Sequence, residues 1–148
     1  MAPAVPASVT KRSALQPFSW PVRVYYEDTD AGGVVYYANY LKFLERARTE
    51  WLRALGFEQN ELAERLNVVF VVRALAIDYH RPSLFNDRLQ VTVELAKVGA
   101  SQVVVAQRVL RAEDLLAAAE VKLACVSAAT LKPVRIPQPI MTRIRNVS

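Results

Sequence analysis

The stretch YYEDTDAGGVVYYANY, residues 25–40, decides the fold, because it closes one apolar segment and opens a long helical pattern. It places two aspartates and the pair Gly32–Gly33 directly before that pattern. The first N–H groups of a helix have no intrahelical partner and carry the positive end of the helix dipole. Such a terminus can bind a carbonyl oxygen that gains negative charge, and glycines allow a close approach. We therefore predict a small active site at a helix N-terminus.

The two aspartates of this stretch, Asp28 and Asp30, can be read in two ways. A carboxylate beside a helix terminus can act as a base or as a nucleophile. An aspartate in a loop more often caps a helix or closes an Asx turn. Taken alone, the residues leave both readings open, with Asp28 better suited to bracing the turn.

The residues that follow predict one long helix. Gly56 is a suitable stop for it, and a second short helical segment is predicted over about Gln59 to Leu66. The apolar stripe indicates packing in a core rather than contact with a cofactor. Its members, at helical spacing, are Tyr40, Phe43, Leu44, Ala47, Trp51 and Leu55.

Five segments have β character. One, Trp20 to Tyr26, leads into the motif, and residues 103–105 in a later segment are apolar enough to form a reactive sheet edge. Turn residues separate the later segments and favour antiparallel connections. The sequence thus predicts an α+β domain in which one long helix packs on a five-stranded antiparallel sheet. The four later segments are Val68 to Tyr79, Arg88 to Val98, Ser101 to Arg111 and Leu115 to Ala128.

Length and composition fit one domain, since 148 residues that are 53% hydrophobic can bury a substantial core. We predict a flexible arm over residues 1–18 and the domain over residues 19–148. The basic pair Lys11–Arg12 follows the apolar part of the arm, which is not the order of a secretory signal. No apolar run is long enough to cross a bilayer. These features predict a cytoplasmic protein.

A net charge of +5 raises nucleic acid and anionic lipid as partners. The basic residues are scattered and no nucleic-acid motif accompanies them, so we predict no nucleic-acid partner and leave open a peripheral association with a membrane. One histidine, His80, and one cysteine, Cys125, argue against a protein-built zinc site and a catalytic triad. His80 is interpreted as a strand-boundary side chain. Cys125 is interpreted as a buried strand residue.

The segment from Val22 to Leu55 resembles the hotdog-fold acyl-CoA thioesterases. The resemblance is carried by the motif DTDxxGxVY at residues 28–36 and by FLERARTE at residues 43–50, and it extends through VFVVR at residues 69–73 to Lys132–Pro133. Within the superfamily it is most similar to the 4-hydroxybenzoyl-CoA thioesterase-like branch, which contains the bacterial Tol-Pal-associated thioesterase. The resemblance implies a hotdog fold, in which the sheet wraps around the central helix.

The same resemblance implies hydrolysis of an acyl-CoA thioester with Asp30 as the catalytic carboxylate. Asp30 would attack the carbonyl, giving a mixed anhydride, or would activate water as a general base. The backbone N–H of Tyr37 would stabilise the oxyanion. Tol-Pal-associated members usually carry His where this chain has Tyr37, so no imidazole acts there. The tyrosine is similar to that of the 4-hydroxybenzoyl-CoA enzymes, in which a backbone N–H polarises the thioester carbonyl.

We predict a substrate site without metal or cofactor. Arg81, Lys132 and Arg135 lie at probable strand ends and in loops, where they would receive the phosphates of coenzyme A, with a solvated surface charge as the alternative for each. Glu45 and Glu50 on the helix are predicted to pair with nearby arginines. The predicted substrate-binding residues are Gly32, Gly33, Val34, Tyr36, Arg81, Lys132 and Arg135.

Hotdog domains form dimers with a continuous sheet and often tetramers, so the resemblance implies a homo-oligomer with active sites between two subunits. Two alternative functions are open. A hotdog dehydratase or hydratase would rely on a histidine that residues 25–40 lack. A non-catalytic module that binds acyl-CoA or acyl-carrier protein beside the Tol-Pal envelope system is disfavoured by the presence of Asp30 next to two glycines.

Overall fold

The computed structural model describes Val5 and residues 17–147. Two short 3-10 turns, Tyr26–Asp28 and Tyr37–Asn39, lie on either side of the motif hairpin, and a π-helical turn, Leu62–Leu66, continues the short helix Gln59–Glu61. The main elements are β1 (Phe18–Arg23), α1 (Tyr40–Ala54), α2 (Gln59–Glu61), β2 (Val68–Tyr79), β3 (Arg88–Val98), β4 (Gln102–Arg111), β5 (Asp114–Ser127) and α3 (Gln138–Asn146).

The strands form one antiparallel sheet in the order β1-β3-β4-β5-β2. Strand β2 is one edge, and it pairs with β5 from Val68 opposite Ser127 to Tyr79 opposite Ala117. A register shift between Val72 and Ala74 interrupts this pairing. The sheet packs on helix α1, so the predicted α+β hotdog architecture of five antiparallel strands around one long helix is confirmed.

Helix α1 is the centre of the core. All six residues of its predicted apolar stripe are buried, and they join one cluster with side chains from every strand. The helix ends as predicted at Gly56, whose φ of 97° is unstrained only for glycine. Gly56 N–H donates to the carbonyl of Arg53 and Phe57 N–H to that of Leu52, which is the Schellman arrangement.

Two expectations are wrong, and one helix was not expected. Strand β1 ends at Arg23 rather than Tyr26, because residues 26–28 turn into a 3-10 helix. Residues 103–105 do not form an edge, since β4 lies between β3 and β5. Helix α3 was not predicted, although it buries Ile140, Met141 and Ile144 against the core.

The predicted arm falls mostly outside the described residues. Within it, Val5 is fully buried against Ala118, and its N–H donates to the carboxylate of Asp78 at 3.2 Å. Phe18, the last residue assigned to the arm, is the first residue of β1. Among the described residues, no helix combines the length and apolar character needed to span a bilayer.

Candidate functional site

The motif folds as a tight hairpin between β1 and α1. Thr29 pairs with Val35, and the Asp30 N–H donates to the Val34 carbonyl at 2.8 Å. Gly33 closes the turn with φ of 81°, and its N–H donates to the Asp30 carbonyl at 3.0 Å. A residue with a Cβ is strained at that φ, which explains a glycine here. Val34 also forms a bridge with Leu84, so the hairpin is anchored to the loop after β2.

Asp28 lies inside the base of this hairpin and is only 6% exposed. One carboxylate oxygen accepts from the Tyr25 N–H at 2.8 Å, and the other accepts from the side-chain amide of Asn39 at 2.9 Å. Its carbonyl accepts from the Tyr36 N–H. Asp28 therefore braces the turn against the start of the helix, as predicted, and both of its carboxylate oxygens are already engaged.

Asp30 differs from Asp28 because its side chain is exposed at the hairpin tip. Its Oδ1 accepts from the Gly32 N–H at 2.8 Å. This hydrogen bond forms an Asx turn, which was one of the two interpretations of the aspartates in the sequence. Within residues 17–147 the other oxygen has no hydrogen-bond partner. Gly32 fits tightly, since a Cβ there would lie 3.2 Å from Oδ1. The carboxylate is thus oriented by one oxygen and open to a reactant through the other.

The helix begins at Tyr37, because the 3-10 turn Tyr37–Asn39 runs directly into α1. The Tyr36 carbonyl accepts from the Asn39 N–H at 2.8 Å and so points along the helix. In a trans peptide the N–H is antiparallel to the carbonyl. The Tyr37 N–H therefore points out of the N-terminus, where the helix dipole is positive.

An open cleft of about 260 Å³ lies beside this helix start. The Tyr79 hydroxyl crosses it and donates to the Tyr37 carbonyl at 2.8 Å. The ring of Tyr79 also contacts the rings of Tyr37 and Tyr40, with centroids 6.4 and 5.3 Å away. The full lining is Val35, Tyr37, Tyr40, Tyr79, His80, Arg81 and Pro82.

Two tyrosines of this region titrate above their ordinary range. The hydrogen bond that the Tyr36 hydroxyl donates to Tyr37, and then the charge of Tyr37, raise the pKa of Tyr36. Burial is the main cause that raises the pKa of Tyr79, followed by the charges of Tyr40 and Tyr37. Phenols are protonated at neutral pH, and these shifts move both tyrosines further from ionisation, so both can donate hydrogen bonds.

A second anchor lies below the cleft at Ser83, which is fully buried. The hydroxyls of Tyr40 and Ser83 are hydrogen bonded at 2.9 Å, and the Ser83 N–H donates to the Tyr40 hydroxyl at 3.1 Å. The Ser83 carbonyl accepts from the Val35 N–H at 2.9 Å. The loop after β2 therefore holds both the helix start and the motif hairpin.

The three basic residues predicted to bind coenzyme A do not lie close together within one chain. Arg81 lines the cleft and pairs with Asp114 at 3.3 Å, with both side chains exposed. Lys132 and Arg135 are exposed near the other end of β5, where the Ser127 N–H donates to the Lys132 carbonyl. The twelve residues of β2 separate these ends by roughly 36 Å.

Several charged side chains of helix α1 have structural partners. Glu50 pairs with Arg53 as predicted, and Arg53 also contacts Glu58. Arg48 belongs to helix α1, where burial lowers its pKa and Gln107 accepts its hydrogen bond at 3.1 Å. The described part of the chain contains no cluster of three or more potential metal ligands.

Sequence reasoning missed the contribution of β2 to the site. Tyr79 was treated only as the end of a strand, and His80 as a boundary residue, yet both line the cleft next to Tyr37. No local sequence motif marks either residue as part of a site, because the folding of the chain brings them to the helix start from a distant segment. A signal was present in the tyrosine that directly precedes the single histidine at a predicted strand end.

Comparisons with known proteins agree with this architecture. The sequence profile of the thioesterase-like superfamily matches residues 24–144. Acyl-CoA thioesterase YbgC of Haemophilus influenzae is 50% identical over 123 residues, which are 83% of this chain and 90% of that protein. Acyl-CoA thioester hydrolase YbgC of Escherichia coli O6:H1 is 47% identical over 130 residues, 86% of this chain and 96% of its own.

A solved structure gives the same result for the fold. The 1,4-dihydroxy-2-naphthoyl-CoA thioesterase from Synechocystis superimposes with a TM-score of 0.81 at 26% identity, covering 89% of this chain and 98% of that one. The family profile spans the motif hairpin, the central helix and all strands from β2 onward. The chain therefore belongs to the thioesterase-like superfamily and has its hotdog fold.

Proposed function

We propose that this protein hydrolyses acyl-CoA thioesters with Asp30 as its catalytic carboxylate and the Tyr37 N–H as its oxyanion donor. The activity is acyl-CoA thioester hydrolysis, in which an acyl-CoA and water give a free acid and coenzyme A, and the relatives from H. influenzae and E. coli are named for it. The assignment of the two residues is the part that rests on geometry.

The observation that carries the proposal is the division between the two motif aspartates. Asp28 is buried with both oxygens engaged, whereas Asp30 is exposed with one oxygen oriented by Gly32 and the other open. A base or nucleophile needs an accessible lone pair within reach of its target. Only Asp30 meets this requirement, and it lies on the hairpin that leads directly into Tyr37.

Two routes of thioester hydrolysis are consistent with this arrangement. As a nucleophile, Asp30 forms a bond to the carbonyl carbon while the thiolate of coenzyme A leaves and takes a proton from solvent. Water then cleaves the mixed anhydride and restores the carboxylate. As a general base, Asp30 takes a proton from the attacking water and passes it to the departing thiolate. In both routes negative charge develops on the thioester oxygen, and the Tyr37 N–H stabilises it.

We place the complete site between two subunits of a homo-oligomer. Strand β2 is an open edge, and three of its apolar side chains, Val71, Val72 and Leu75, are between 38% and 50% exposed. Edges of this kind pair readily with another strand. Antiparallel pairing of two β2 edges would set the Lys132 end of one chain beside the Arg81 end of the other. This explains how basic residues about 36 Å apart could serve one coenzyme A.

The finer assignments extend the same proposal. Gly32, Gly33, Val34 and Tyr36 would surround the thioester, with the phosphates of coenzyme A received by basic side chains. Pairs of dimers would form a tetramer in the cytoplasm. Use of acyl-carrier protein and association with the Tol-Pal envelope system are further parts of the hypothesis.

The test is thiol release from a panel of short, long and aryl acyl-CoAs. We expect Asp30→Asn to lower kcat by at least about 100-fold while the protein stays folded, because its amide cannot accept a proton or attack. Glu27→Gln is the matched control, since it neutralises an exposed carboxylate of the same stretch. An equal loss in both variants would contradict the assignment to Asp30. A wild type that binds acyl-CoAs but cleaves none would favour the non-catalytic binding module.

A further inference from the structure

Tyr79 is joined to the helix start by the fold alone. It lies 42 residues after Tyr37, at the end of edge strand β2, and its hydroxyl donates to the Tyr37 carbonyl at 2.8 Å. No step of the proposed hydrolysis uses this side chain, and the residue is 44% exposed. The Tyr79 hydroxyl thus binds the carbonyl of the residue whose N–H is the proposed oxyanion donor.

The two peptide groups that flank the Tyr37 α-carbon are both held. The first contains the Tyr37 N–H, and its carbonyl on Tyr36 accepts from the Asn39 N–H at 2.8 Å. The second contains the Tyr37 carbonyl, which accepts from Tyr79. Since two dihedral angles per residue set the main chain, anchoring the peptide groups on both sides of the Tyr37 α-carbon fixes the direction of the Tyr37 N–H.

We propose that Tyr79 is a positioning residue for hydrolysis, which fixes the Tyr37 main chain so that its N–H faces the thioester oxygen. This inference rests on the proposed role of the Tyr37 N–H. Electrostatic catalysis depends on donors that are already aimed before the reaction, and small displacements of such groups are costly. Tyr79 would thus affect the transition state without touching the substrate.

The chemistry of the side chain suits the role. A donor must be protonated, and burial raises the pKa of Tyr79, so its hydroxyl keeps its proton through the neutral range. The neighbouring tyrosine of the helix is committed elsewhere, because Tyr40 is hydrogen bonded to buried Ser83. Tyr79 is therefore the hydroxyl of the cleft that is directed at the Tyr37 main chain.

The test compares Tyr79→Phe with wild type for kcat, KM, melting temperature and the Kd of a non-hydrolysable acyl-CoA thioether. We expect kcat to fall by about tenfold or more. KM and the Kd of the thioether should stay within about twofold, because ground-state binding does not use the hydroxyl. Tyr26→Phe is the matched control, since it removes the hydroxyl of a tyrosine that is 80% exposed and leaves its ring contact with Phe85 in place.

The outcomes separate this inference from the function itself. An unchanged kcat in Tyr79→Phe would overturn the positioning role while leaving hydrolysis by Asp30 intact. A raised KM and Kd with an unchanged kcat would mean that the hydroxyl binds substrate, which also overturns it. A fall in kcat that is matched by a lower melting temperature would mark a structural role only. Absence of thiol release from wild type would instead remove the proposed function.

Discussion

Replacement of Asp28 by alanine should destabilise the fold without removing a catalytic group. The carboxylate accepts from the Tyr25 N–H at 2.8 Å and from the Asn39 amide at 2.9 Å, at a position only 6% exposed. Alanine leaves both donors without this acceptor. The 3-10 turn and the start of the helix would then lose the group that joins them.

The size of the effect follows from the burial of the two donors. A buried polar group left unsatisfied costs about 1–3 kcal/mol. Asn39 is buried and takes the full penalty, whereas the N–H of Tyr25 lies in a more exposed residue that water can reach. We therefore expect a loss of about 2–4 kcal/mol in the free energy of unfolding. For a chain of this length that corresponds to a melting temperature lower by about 5–15 °C.

Asp28→Asn provides an intermediate step. Its remaining oxygen can accept from the Tyr25 N–H, and a rotated Asn39 amide can accept from its new NH₂ group. What is lost is the charge assistance of the carboxylate, so we expect roughly half the effect of alanine. The order of stability should be wild type, then Asp28→Asn, then Asp28→Ala.

Urea unfolding followed by circular dichroism would measure these differences, with all variants at one protein concentration because association shifts apparent stability. Asp30→Ala is the control, since it removes an exposed carboxylate that orients only the Gly32 N–H, and it should cost less than about 1 kcal/mol. The stabilising role of Asp28 is refuted if Asp28→Ala stays within about 1 kcal/mol of wild type in the free energy of unfolding, or if Asp30→Ala is the less stable of the two.

Three further predictions concern the site and the core. Gly32→Ala places a Cβ 3.2 Å from Oδ1 of Asp30, so kcat should fall by about tenfold with little change in melting temperature; a wild-type rate would show that the carboxylate orientation is unimportant. Tyr40→Phe leaves the fully buried Ser83 without its partner and should lower the free energy of unfolding by about 1–3 kcal/mol in urea titrations, and a neutral result would contradict the anchor. Burial raises the pKa of Cys125, so less thiolate forms at any given pH, and a thiol reagent at pH 8 should react much more slowly with native than with urea-unfolded protein. Equal rates would mean that this thiol is accessible in the native state.

Much of the architecture was predictable because it is encoded locally. Strand β2 and strand β3 begin and end at the predicted residues, since turn-forming residues separate them. Helix α1 ends where Gly56 supplies a left-handed conformation. These features depend on neighbours in the chain, which sequence patterns report directly.

The errors came from features that depend on distant contacts. Residues 103–105 looked like an exposed edge because strand order is set by the whole sheet. Helix α3 has Pro137 as its N-cap and Pro139 in its first turn, where proline is well tolerated. Only three apolar residues mark that helix, too few for a clear periodic signal.

The candidate site also contains residues that local sequence patterns indicate and residues that only the fold brings together. The buried Asp28, the exposed Asp30 and the helix start at Tyr37 all belong to one continuous stretch, so sequence patterns could single them out. The catalytic roles of Asp30 and Tyr37 stay predictions. Tyr79 and His80 could not be assigned to the site, because β2 brings them there from about 40 residues away. Arg81 lines the cleft, whereas Lys132 and Arg135 lie near the other end of β5, and their role in substrate binding stays a prediction.

Strand β2 is both an edge of the sheet and part of the candidate site. Its outer side is the open edge of the sheet, and its last residue, Tyr79, holds the main chain at the helix start. A strand docked along that edge would alter the twist of β2 and so the position of the Tyr79 hydroxyl. Turnover would then report on quaternary structure, and dilution to separated subunits would slow each half-site even if its own catalytic residues were unchanged.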